Sequence, residues 1–222
     1  MLLTGDLFMS VLYLILVLLL TFLYSILFYL IKAKKYITYI WFFIVLLVGL
    51  VWFSDVILRL PNKLLPFGTL LLFLLFIAPF IFNSGYRVNK NCQDILGFCV
   101  LYPIGEELIF RAIILKLIPY IIGVNSVMVP FPLLKEISLP VLITAFLFGI
   151  MHLQYFKFKI NRDTLIKIVF AFIFGIFMGN MVEITESILY PVIFHVIANT
   201  GATIYYFKNN KSNYIKILIK RE

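Results

Sequence analysis

A chain of 222 residues that is 64% hydrophobic and 13% charged, with a mean hydropathy of +1.09, does not read as a water-soluble domain. Soluble domains are about 45–50% apolar and about 25% charged, so lipid must cover the apolar surplus. The net charge of +9 does not point to a nucleic-acid partner, because the basic residues flank apolar runs in the manner of membrane topology signals.

The apolar runs follow one another along the chain. The first, Leu7–Ile31, is ample for a hydrocarbon core of about 30 Å at about 1.5 Å per residue. It is too long, and lacks a basic leading region, for a cleaved signal peptide. Lys32, Lys34 and Lys35 stop it. The second runs Thr38–Leu58, ending near Arg59, Pro61 and Lys63, and the third Leu65–Phe82, ahead of a polar stretch at 83–91. The fourth is Ile95–Leu117 and the fifth, a short one, Leu139–Leu153; the sixth is Leu165–Val182 and the seventh Ile188–Phe207. Between the fourth and fifth, residues 119–138 (Pro119, Gly123, Pro130, Pro132) read as an external loop or a re-entrant piece. No internal repeat or low-complexity linker separates the runs.

Counting Lys167 with the fifth loop, 14 of the 19 Lys and Arg residues fall on one side of this arrangement and 3 on the other. That asymmetry places the N-terminus outside and the C-terminus in the cytoplasm. The expected fold class is all-α, a polytopic transmembrane helix bundle of about seven spans in the cell membrane. It forms one domain over 1–222, divided into N-terminal spans (1–94), a polar-motif-bearing core (95–207) and a basic cytoplasmic tail (208–222). Cys92 and Cys99 form no CxxC and read as free thiols.

Charged residues inside the runs are the exception that needs explaining. Each costs roughly 2.5–3.5 kcal/mol at a bilayer centre. Glu106, Glu107 and Arg111 sit in the fourth run. Glu107 and Arg111, four apart, share a helix face and can pair. Glu106 lies about 100° around the helix and lacks a same-helix partner, so it calls for a proton, a cation or a donor from elsewhere. A structural ion pair that fixes helix packing is the bland account of the trio.

The chain's only two histidines also lie within apolar runs. His152 shares a face with Phe148, and Gly149 beside it allows a close helix neighbour. His195 shares a face with Asn199. Counted from the segment ends, Glu106 is about 17 Å deep from the cytoplasmic side. His152 is about 20 Å and His195 only about 11 Å deep from the outside, so His195 is expected to lie shallower than the others. Asp55 and Arg59 read as an interfacial pair, and Glu183 and Glu186 as solvated in an external turn.

Glu106-Glu107-x-x-x-Arg111, Phe148-x-x-x-His152 and His195-x-x-x-Asn199 together resemble the three motifs of the CAAX-protease and bacteriocin-processing (CPBP, or Abi) intramembrane proteases. Order and membrane setting match over residues 106–199, with no departure at the motif positions. The resemblance implies a peptide-bond hydrolase. In it Glu106 and His152 would activate water, His195 and Asn199 would hold the oxyanion, and Glu107, Arg111 and Phe148 would support them. Carboxylate base and neutral donors suit that chemistry in a dry cavity.

Family members are described both as metalloproteases and as metal-independent glutamate proteases. Glu106, His152 and His195 could ligate zinc. With no His-x-x-x-His on one helix, and Asn a poor zinc ligand, no required cofactor is the expectation and Zn the alternative. The short chain resembles the compact bacterial branch, linked to bacteriocin or signal-peptide maturation and self-immunity. Its implied partners are a peptide or protein substrate, lipidated or membrane-inserted, and the lipid bilayer. The competing classes are a transporter, since buried Glu, His and Arg also mark ion pathways, and a non-catalytic immunity protein.

Overall fold

The computed structural model describes residues 7–30, 36–57, 59–83, 88–123, 127–132 and 134–219. Lys32, Lys34, Lys35, Arg87, Lys220 and Arg221, which enter the charge count, and Leu58, the expected end of the second run, lie outside them. Among the described residues there are seven helices. The first three are α1 (Leu7–Leu30), α2 (Ile37–Ile57) and α3 (Phe67–Asn83).

The fourth, α4, covers 92–122 as five successive stretches: Cys92–Leu96, Gly97–Leu101, Tyr102–Glu107, Leu108–Ile114 and Leu115–Ile122. Gly97–Leu101 and Leu108–Ile114 are wound as π-helix. Asn91 starts α4 by accepting the Asp94 amide at 2.7 Å. Gly123, at φ +66°, ends it in the left-handed conformation that glycine adopts without penalty.

The segment after α4 carries a short hairpin. Strands β1 (Met128–Phe131) and β2 (Lys135–Ser138) pair antiparallel, Met128 opposite Ser138. This two-stranded hairpin is the one departure from an all-α fold among the described residues. Ser138 then caps α5 (Leu139–Met151), which runs into a 3-10 turn, His152–Phe156. Asn161 caps α6 (Arg162–Thr185), and α7 (Leu189–Ile219) completes the chain. The expected basic tail is therefore not separate from the last run: α7 continues through it to Ile219.

Two helical stretches, Leu139–Phe156 and Arg162–Thr185, are long and apolar enough to cross a membrane. The packing is inverted relative to a soluble bundle. On α2, Phe43, Leu47 and Val51, spaced four apart, are 62%, 65% and 67% exposed, while Glu107 and Arg111 are both at 0%. One face of α2 thus turns apolar side chains outward, while the Glu107 and Arg111 charges lie inside.

α5 and α6 make the most extensive helix pair. Small residues bring them together: a Cβ on Gly149 would stand 3.2 Å from the Ile168 carbonyl, and one on Gly175 3.0 Å from Ala145 Cα. A strap at one end joins the α2–α3 and α6–α7 connections. Arg59 pairs with Glu186 at 2.8 Å, Ser187 donates to the Arg59 carbonyl at 2.6 Å, and the Asn62 amide donates to the Thr185 carbonyl at 3.0 Å. Of the expected Asp55–Arg59 pair, the Asp55 side chain lies outside what is described; Arg59 reaches across the fold to Glu186, and both side chains are about half exposed. Glu183 is also engaged, as the acceptor of the Ser138 hydroxyl.

The glycine at the α5–α6 crossing gives a direct test. Gly175→Leu inserts a side chain where Ala145 leaves no room, and overpacking of this kind costs about 1–3 kcal/mol. Thermal unfolding in detergent is expected to show a lower midpoint for Gly175→Leu and little change for Leu165→Ala, whose parent side chain is 51% exposed. Equal midpoints for both variants contradict the packing.

Candidate active site

All seven motif residues converge in the interior. Glu107 is the hub. Its Oε1 accepts from His195 Nδ1 at 2.7 Å, and its Oε2 lies 3.1 Å from Arg111 Nε, one helical turn on. The Arg111 contact is an ion pair without hydrogen-bond alignment. The guanidinium instead places its face over the Phe148 ring, 4.3 Å from the centroid, with Phe110 at 5.8 Å.

His195, with its Nδ1–H committed to Glu107, turns Nε2 toward Glu106 Oε2 at 3.6 Å. The shallow depth expected for His195 is thereby corrected. It lies against both glutamates. The depth count placed each run's first residue on a common plane, and the helices do not start there: α4 begins at Cys92, three residues before the expected Ile95.

His152 is held differently. Its Nδ1–H donates to the Phe148 carbonyl at 2.8 Å, which leaves Nε2 as the nitrogen available to a ligand in the neutral ring. It does not sit mid-helix as expected but opens the 3-10 turn that follows α5. Phe148 packs edge-on against both His152, at 4.7 Å, and His195, at 6.2 Å. One aromatic ring therefore touches the cation and both imidazoles.

Asn199 is oriented by a defect in α4. Within the first π-helical stretch the Tyr102 amide donates to the Gly97 carbonyl, five residues back. Phe98 thus loses its ordinary i+4 donor. Its i+5 donor would be residue 103, which is proline and has no N–H. The Phe98 carbonyl accepts from Asn199 Nδ2 at 3.0 Å. An amide nitrogen carries two hydrogens, so one remains for a ligand.

Glu106, His152, His195 and Asn199 line one cavity of about 360 Å³, with Phe148 and Phe174 among its apolar walls; it extends to Asn89 and Asp94 at the surface. Glu106 is 5% exposed, and His195 and Asn199 are each 6% exposed. Among the described residues, no three His, Cys, Asp or Glu side chains are grouped as a metal-ligand set.

The motifs did not reveal Tyr155. Its hydroxyl donates to Glu106 Oε1 at 3.0 Å and meets the Tyr102 hydroxyl. Its only signal in the sequence was a position three residues after His152, on what read as the edge of a loop.

A family model described as Rce1-like, "Type II CAAX prenyl endopeptidase Rce1-like", matches residues 69–201. No match to this chain is found among curated proteins or solved structures.

Removing half of the buried pair leaves a desolvated charge without compensation, at a cost of about 3–5 kcal/mol. Glu107→Gln is therefore expected to lower the thermal midpoint sharply. Glu107→Leu combined with Arg111→Met is expected to recover most of that loss, because apolar replacement of a whole buried pair is often neutral. A double variant less stable than Glu107→Gln would contradict the pairing.

Proposed function

The chain belongs to the Rce1-like family of type II CAAX prenyl endopeptidases, a membrane-embedded protease family, and from that membership we propose that Glu106 and His152 activate the water that cleaves a peptide bond. The observation that carries this reading is the single cavity shared by Glu106, His152, His195 and Asn199. A carboxylate base, an imidazole with a free nitrogen, and donors opposite them are the parts that acyl transfer to water requires.

In the proposed reaction a water held between Glu106 and His152 loses a proton to Glu106 and attacks the scissile carbonyl. Charge develops on the carbonyl oxygen, which accepts the second amide hydrogen of Asn199; His195, whose Nδ1–H is held by Glu107, adds a donor from Nε2 only as the imidazolium. Glu106 then returns the proton to the leaving amine. Glu107 and Arg111 fix His195 and take no part in the proton transfers. No metal enters these proposed steps, as the lack of a His-x-x-x-His on one helix favours; zinc on Glu106, His152 and His195 is the competing chemistry.

The bilayer setting proposed here is the one drawn from sequence: about seven spans in the cell membrane, N-terminus outside and C-terminus cytoplasmic. The outward apolar faces support it. In that orientation the cavity rim at Asn89 and Asp94 adjoins a cytoplasmic loop, so a lipidated or membrane-inserted peptide would enter from the cytoplasmic side. The physiological role proposed with it is bacteriocin or signal-peptide maturation, or self-immunity, on the strength of the three-motif resemblance.

Purified protein assayed against a panel of prenylated and leader peptides tests this. Glu106→Gln and His152→Ala are each expected to lower kcat by at least about 100-fold, the lower end of general acid–base contributions, with the protein still inserted and folded. Chelator is expected to leave wild-type activity unchanged. Full activity in both variants would sink the assignment, and loss of activity with chelator, restored by zinc, would sink the metal-free mechanism.

A further inference from the structure

Glu106 has a hydrogen-bond donor that belongs to none of the three motifs. Tyr155 donates to Glu106 Oε1 at 3.0 Å, and the two hydroxyls of Tyr155 and Tyr102 are in hydrogen-bond contact. A phenol carries one hydrogen, and an ionised carboxylate only accepts. The Tyr155 hydrogen is therefore spent on Glu106, and the hydrogen between the two phenols comes from Tyr102. The order is fixed as Tyr102 to Tyr155 to Glu106, a chain in which each bond polarises the next.

Tyr102 is in turn held from outside the matched family region. Trp41 of α2 stacks on it, ring centroids 4.9 Å apart and 25° between planes. The Trp41 indole N–H donates to the Leu20 carbonyl of α1 at 2.8 Å, and the side chain is 1% exposed. Gly105, the neighbour of Glu106, admits the indole: a Cβ there would stand 2.5 Å from Trp41 Cζ3. Leu20 and Trp41 both precede residue 69, where the family match begins.

We propose that Tyr155 is a positioning residue for Glu106, oriented by Tyr102, and that α1 and α2 serve the reaction by clamping Tyr102 through Trp41. The proposal rests on the reading of Glu106 as the water-activating base. Its physical content is the choice of partner open to the carboxylate. With Oε1 tied to Tyr155, Oε2 stays 3.6 Å from His195 Nε2, beyond a hydrogen bond. Without that tie the carboxylate is free to close on His195, joining the base to the group meant for the oxyanion.

The test has a spectroscopic and a kinetic arm. The infrared difference between wild type and Glu106→Gln isolates the Glu106 carboxyl band, and the same difference is recorded in a Tyr155→Phe background. The band is expected to shift when the Tyr155 hydroxyl is absent. Peptide cleavage by Tyr155→Phe is expected to show kcat reduced roughly 10- to 100-fold, the range of a hydrogen bond to a charged group, with KM and the thermal midpoint unchanged. Tyr102→Phe is expected to have a smaller effect of its own and none when added to Tyr155→Phe, since it acts through that hydroxyl. A merely structural tyrosine would lower the midpoint and leave the two variants additive.

An unmoved Glu106 band overturns the proposal, as does a shifted band with wild-type kcat. Absence of any peptide cleavage by wild type defeats the protease reading instead, and the infrared arm still decides whether Tyr155 holds Glu106.

Discussion

The interior of this protein is organised around one carboxylate with no contact to solvent. Glu107, at 0% exposure, has one oxygen on His195 and the other beside Arg111. An ion buried alone costs several kcal/mol, so neither Glu107 nor Arg111 is tolerable without the other. The pair therefore forms together or not at all. It ties α4 to α7 through His195, and Arg111 carries the constraint to α5 by lying on Phe148. Phe148 in turn presents the carbonyl that fixes His152. Three helices and both imidazoles are thus positioned by a group that makes no contribution to the proposed proton transfers.

The helices were legible because hydropathy alone separates them; α6 gained a few residues at its start, where the capping Asn161 lies beyond the apolar run, and α7 ran on past its apolar run to Ile219. The motif residues were legible because a charge in an apolar run is expensive and must be used or paired. Other features depended on partners far apart in sequence. Tyr155 looked like an ordinary interfacial tyrosine until Glu106, 49 positions earlier, was placed beside it. Glu186 read as solvated, and its side chain is 51% exposed, but its partner Arg59, 127 residues away, could not be read from spacing. The hairpin at 128–138 was hidden by prolines, which disfavour strand interiors but are tolerated in so short an edge pairing.

The depth of His195 was misjudged for a related reason. Counting residues from segment ends treats every helix as α-helical and as starting on one plane. α4 violates both assumptions, with two π-helical stretches between 97 and 114. Wide turns of this kind recur at functional sites because they redirect side chains and free backbone groups. Here the first π stretch and Pro103 turn the Phe98 carbonyl toward α7, and Asn199 is fixed by donating its Nδ2–H to it. A backbone irregularity in one helix thereby sets the orientation of an amide on another.

These devices share a thermodynamic logic. In water, a carboxylate, an imidazole and an amide could each find hydrogen bonds in many orientations. In a cavity walled by Phe148 and Phe174, where Glu106, His195 and Asn199 are at most 6% exposed, few partners are within reach, and an unpaired polar group is costly. Orientation is then selected by scarcity: His195 has Glu107, Asn199 has Phe98, His152 has the Phe148 carbonyl, and Glu106 has Tyr155. Each of these partners engages one end of its residue and leaves another polar atom for the cavity. A site assembled this way is organised before any substrate arrives, which is the condition under which fixed dipoles stabilise a developing charge without reorganising during the reaction.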